Sequence, residues 1–82
     1  MKLSIELTAY PLEDKYLPVI ESFIEHLKSY KNIKLEVYPT CSVLFGKHDD
    51  VMDALSLSIK WSVKNKNKIV FVSKFLPNYE AI

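Results

Sequence analysis

Arginine is missing from this chain: all eleven basic side chains are lysines, and with ten carboxylates they leave a net charge of +1. Without a guanidinium, no side chain can hold a phosphate or carboxylate through two parallel hydrogen bonds. A nearly neutral chain also lacks the bulk field that draws nucleic acid or anionic lipid. The one cysteine, Cys41, can form neither an internal disulfide nor a cysteine-rich zinc site. No apolar run approaches the roughly 20 residues that span a bilayer. Met1 to Glu6 alternates polar and apolar residues, unlike the apolar block of a signal peptide. What remains is ordinary globular material, 49% apolar and 26% charged over 82 residues. The expectation is one small cytoplasmic domain spanning residues 1–82.

Two periodicities divide the chain. From Lys2 to Tyr10, Leu3, Ile5, Leu7 and Ala9 alternate with Ser4, Glu6, Thr8 and Tyr10, which predicts a strand with one buried and one polar face. Pro11 ends it. A helix follows, with Asp14 as a capping or near-capping acid and Pro18 in the first turn. Its apolar stripe is Tyr16, Ile20, Phe23, Ile24 and Leu27, while His26 falls at the edge of the polar face. Lys31 and Asn32 close it. Ile33 to Tyr38 and Thr40 to Phe45 read as the second and third strands, the third with apolar surroundings on nearly both faces. Gly46 is expected to leave that strand with a positive φ.

His48, Asp49 and Asp50 open a second helix, with acids at the positive end of its dipole. Val51, Met52, Leu55, Ile59, Ser62 and Val63 form its predicted core stripe, with Ala54 and Ser58 as flanking residues and Leu57 and Trp61 on one shoulder. Lys64 to Lys68 is a solvated turn, and Ile69 to Phe75 is the last strand. The order β-α-β-β-α-β predicts an α+β, ferredoxin-like two-layer sandwich. Two helices cover one face of a four-stranded antiparallel sheet, with strands one and three at its centre.

Such a fold hosts many functions, so function must come from a site. Tyr10-Pro11-Leu12-Glu13-Asp14 lacks the Cys-x-x-Cys that a metallochaperone of this shape needs. Strand one sets Glu6 where an RNA-binding sheet would carry phosphate. Acylphosphatase chemistry needs the absent arginine. Cys41 has no histidine at a spacing expected to reach it and reads as a buried structural residue. His48 with Asp49, Asp50 and Asp53 reads as capping and dipole complementation rather than a metal site. No acid, base and nucleophile converge, so neither catalysis nor a metal is expected. Glu6 stands apart, a carboxylate in mid-strand on the sheet face that helices leave open, beside Ser4 and Thr8. The apolar third and fourth strands mark that face as a docking surface, and the expected partner is a second copy of the chain.

Ser4-Ile5-Glu6-Leu7-Thr8-Ala9-Tyr10-Pro11-Leu12 resembles the start of the small thiamine- or hydroxymethylpyrimidine-binding domains of the YkoF type. The similarity continues through Tyr16, Ile20, Phe23, Ile24 and Leu27. It extends over Cys41-Ser42-Val43-Leu44-Phe45-Gly46, Asp50-Val51-Met52 and Val70-Phe71-Val72-Ser73-Lys74. Thr40-Cys41-Ser42-Val43 departs from the Met-Ser-Thr-Gln expected there and lacks the amide side chain. The resemblance implies a domain that binds a vitamin B1-related ligand without transforming it, needs no cofactor, and associates as a homo-oligomer. It implies ligand contacts at Glu6 and Ser42, with Thr8 and Lys74 matching less closely. Tyr10 or Tyr38 is suited to stack on such a ring or to face a thiazolium cation. A ligand-free oligomerisation or regulatory module is the alternative reading.

Overall fold

The computed structural model describes residues 1–82. Its elements follow the predicted order: β1 (Lys2–Pro11), α1 (Tyr16–Lys28), β2 (Lys34–Val37), β3 (Ser42–Lys47), α2 (His48–Lys64) and β4 (Ile69–Pro77). The strands form one antiparallel sheet in the order β2-β3-β1-β4. The two right-handed crossovers the sequence requires therefore put β1 and β3 at the centre.

Alternation in β1 sets the layers. Leu3, Ile5 and Leu7 join Phe23 and Leu27 of α1, Leu44 of β3, and Val51, Ala54 and Leu55 of α2 in one buried cluster. Both helices thus cover the same sheet face. Each of these large side chains stabilises the fold by about 1.5–3 kcal/mol through burial.

Register assigns every other strand residue to a face, because directly opposed residues point the same way. Ser42 opposes Leu7 and Leu44 opposes Ile5, so both face the helices. Val43 and Phe45 oppose Glu6 and Ser4 on the open face. On β4, Val70, Val72, Lys74 and Leu76 oppose Tyr10, Thr8, Glu6 and Ser4, also on the open face.

Several local expectations are corrected. Gly46 has no positive φ. It is an in-strand residue, and a Cβ there would meet Val51 Cγ2 at 3.3 Å and the Asn32 carbonyl at 3.4 Å. Close approach of the first turn of α2, rather than backbone handedness, explains the glycine. Asp14 does not cap α1: Lys15 holds the N-cap position without a side-chain bond, and the helix ends at Lys28 with Ser29 as its cap. Neither His48 nor its acids cap α2 through a side chain, although Asp49 and Asp50 lie in the first turn as the dipole favours.

The stripe of α2 is rotated from the expected one. Ala54, Ser58 and Ser62 are buried with Val51 and Leu55, whereas Ile59 is 40% and Val63 70% exposed. Small side chains let the helix lie close to its neighbours, so Ala54 and Ser58 join Val51, Leu55 and the expected Ser62 on the inward face in place of Ile59 and Val63. Tyr16 is likewise exposed rather than part of the core.

Candidate functional site

The open face is not uniformly solvated. Beyond β4, Asn78 takes a positive φ of 57° and the chain turns back. Ser4 Oγ then donates to the Tyr79 carbonyl at 2.6 Å and accepts from the Ala81 amide at 3.0 Å. Ser4, expected to be a solvated neighbour of Glu6, is instead sealed beneath residues 79–81 and fully buried. The opposite end of the face stays open.

At that open end the register brings four of the proposed ligand residues together. Glu6 and Lys74 are direct cross-strand partners, and Thr8 and Tyr10 follow on the same face of β1. With Thr40, Cys41 and Val72 they line a groove of about 230 Å³. Lys74 Nζ lies 3.8 Å from Glu6 Oε1, and the two side chains are 74% and 40% exposed. An exposed pair at that distance contributes little to stability. Both charges are thus available to a ligand.

Ser42 is not in this groove. Opposed to Leu7, it lies on the helix-facing side and lines a cleft between α1 and the sheet. The walls of that cleft include Leu7, Ile20, Phe23, Ile24 and Val37. A third hollow, of about 360 Å³, runs between the two past Tyr10, Pro11, Tyr16, Ile20, Pro39 and Thr40. All three share Thr8 and Thr40. They form one trough that wraps the end of the sheet around the Tyr38–Cys41 turn.

That turn is tied down twice. The Tyr38 amide donates to the Cys41 carbonyl at 2.8 Å, and Thr8 Oγ1 donates to the Thr40 carbonyl at 3.1 Å. The Tyr38 hydroxyl donates a hydrogen bond to Glu36 Oε2 at 2.7 Å. That hydrogen bond, followed by burial and then the nearby Glu36 and Cys41 charges, raises the phenol above its ordinary pKa. Tyr38 therefore meets the trough as a neutral ring.

Cys41 precedes β3 and is half-buried, not sealed within a strand. It lines both the groove and the cleft. Periodicity missed this because the third strand begins one residue later than the alternation Cys41, Val43, Phe45 implies. Thr40 was missed as well. Its main-chain carbonyl accepts the hydrogen bond from Thr8 Oγ1, and residue type carries no signal for that role. His48 Nδ1 and Asp49 Oδ1 lie 2.8 Å apart, and no three His, Cys, Asp or Glu side chains converge to hold a metal ion. No helix is long and apolar enough to cross a membrane.

No protein-family model and no curated protein matches the chain. Solved structures do. One is a protein from Thermotoga maritima described as a "putative thiamine biosynthesis/salvage protein", with a TM-score of 0.79 and 25% identity over 99% of this chain and 86% of that one. A protein from Streptococcus pneumoniae shares the fold at a TM-score of 0.85 and 24% identity, over 96% of this chain and 89% of that one. A domain of unknown function, DUF77, from Bacillus cereus does so at 0.75 and 18% identity, over 98% and 77%. The chain is thus similar in fold to a group of small α+β proteins, one of which is linked by name to thiamine.

Proposed function

We propose that the trough binds a thiamine-related heterocycle, such as thiamine or hydroxymethylpyrimidine, without transforming it, in a cytoplasmic homo-oligomer. The convergence of Glu6, Thr8, Tyr10 and Lys74 in one groove carries this reading. An aminopyrimidine offers an exocyclic amine donor beside ring-nitrogen acceptors. The Glu6 carboxylate accepts from the amine, and the Thr8 hydroxyl, by turning from Thr40, can donate to a ring nitrogen. Tyr10 at the groove edge offers a face to a ring or to a thiazolium cation, worth about 0.5–2 kcal/mol. Small-ligand pockets are commonly apolar with a few placed polar groups, which describes this trough. Support also comes from the fold shared with the Thermotoga maritima protein across nearly the whole chain, and the lone free thiol suits a reducing compartment.

Glu6→Gln tests the anchor with almost no change in volume. Calorimetry with thiamine and with hydroxymethylpyrimidine should show about ten- to a hundredfold weaker binding, the loss expected for a charge-assisted hydrogen bond. The unfolding midpoint of the free protein should hardly move, since Glu6 makes only the long contact to Lys74. Equal affinities in the two proteins remove Glu6 from the site.

A second reading rests on Tyr10, Val70 and Val72, which are about half exposed side by side on the open face. It makes the face a ligand-free docking module. Absence of heat with either ligand favours it.

A further inference from the structure

The cleft between α1 and the sheet has a character of its own. Its lining is Leu7, Thr8, Ala9, Ile20, Phe23, Ile24 and residues 37–42, with no charged side chain among them. Ser42 is only 8% exposed. Its hydroxyl takes part in none of the side-chain hydrogen bonds of the chain. Nor is that oxygen sealed in the core like Ser58 Oγ, the one fully enclosed side-chain oxygen without a partner. It borders the cleft. Because it opens on the cleft, it is not an unmet bond: a ligand hydroxyl that displaces water from it keeps the hydrogen bond, while the alkyl chain gains contact with the apolar walls.

Size and charge narrow the occupant. The cleft has a volume of about 70 Å³. At about 10–15 Å³ for each water-sized position, that is room for roughly five. A short chain of about that many heavy atoms fits, and a two-ring heterocycle does not. An ionised carboxylate or phosphate would enter without a counter-charge, at a desolvation cost no neighbour offsets. A neutral group with a polar end meets both requirements.

We infer that this cleft is a binding pocket for a short neutral hydroxyalkyl group, with Ser42 Oγ as its hydrogen-bond partner and Leu7, Ile20, Phe23 and Ile24 as its apolar walls. The group is a free small alcohol or an arm of a larger ligand. In the second case the pocket deepens the proposed function, since the trough joins it to the Glu6 groove and the arm must then be uncharged. The pocket itself does not depend on that reading.

The test uses probes that avoid the groove's chemistry. 1-Butanol and butyrate, similar in length but neutral and ionised respectively, are titrated into the full chain and followed by backbone amide NMR. Butanol should give saturable shifts centred on Ile20, Phe23, Ile24, Val37 and Ser42, and butyrate should give none there. Ser42→Ala, which removes only the oxygen, should weaken butanol binding about two- to tenfold, the range of one neutral hydrogen bond. Leu7→Met, a near volume-conserving change in the wall, should retain the effect of Ser42 and guards against a variant that fails to fold. Linear, unsaturable shifts spread over the surface, equal response to butyrate, or unchanged affinity in a folded Ser42→Ala would each overturn the proposal. Thiamine takes no part in these titrations, so their failure is separate from failure of the Glu6 experiment.

Discussion

His26 behaves differently from a solvated edge residue. Its ring stacks on Trp61 with centroids 4.6 Å apart and planes at 13°, and Nε2 lies 2.8 Å from the Tyr30 hydroxyl. Partial burial lowers its pKa from 6.5. The unfolded chain therefore takes up the proton first as pH falls. The stability this packing contributes is complete above about pH 6.5 and is lost on the way down, until the folded imidazole also protonates. Urea midpoints measured from pH 8 downward should fall below that value, and His26→Phe, which keeps a ring against Trp61, should flatten that part of the profile. Trp61 is the only tryptophan, so its fluorescence reports the same protonation directly. A fluorescence midpoint at or above 6.5 contradicts the assignment.

At the scale of the element, α2 shows how much the chain's pattern could convey. Val51 and Leu55 were legible as core because they recur at four-residue spacing beside a strand. Ser62 was legible with them, but Ala54 and Ser58 were not, since hydrophobicity ranks Ile59 and Val63 above them. Close packing selects the small residues instead. The same blindness hid Gly46, whose reason is a neighbour from another element. It also hid the face of Ser42, because placing β3 correctly needs its register with β1. Strand order and the β1 alternation, with Glu6 on the open face, needed only periodicity and handedness and were readable; the pairing of Glu6 with Lys74 needed the register of β1 with β4.

The buried face of α2 has a measurable consequence. Ser58 Oγ is enclosed and has no hydrogen-bond partner. Ser58→Ala removes that unsatisfied oxygen, adds a better helix former and leaves a void smaller than a methyl group. It should stabilise the protein by about 1–2 kcal/mol, visible as a higher urea midpoint at unchanged slope. A lower midpoint would mean that an ordered water satisfies the hydroxyl.

The whole molecule has two unequal sheet faces. Helices bury one, and residues 79–81 cover the Ser4 end of the other. This leaves Tyr10, Val70 and Val72 exposed at 53%, 46% and 51%, beside the Glu6 groove. Because these three are directly opposed or diagonal neighbours on β1 and β4, they form one patch rather than scattered surface residues. A patch of this kind on so small a protein is an expected contact, and two-fold pairing is the commonest way to cover it. Sedimentation at micromolar concentration should therefore show a species of twice 9.5 kDa. Val72→Lys places an ammonium at the centre of the patch, where pairing would bury it without a partner, and should return the monomer with its fold intact. Since Val72 also lines the groove, thiamine affinity in that variant tells whether the second copy completes the site. Affinity lost along with the dimer is the expected result, and a wild type sedimenting only at 9.5 kDa removes the pairing altogether.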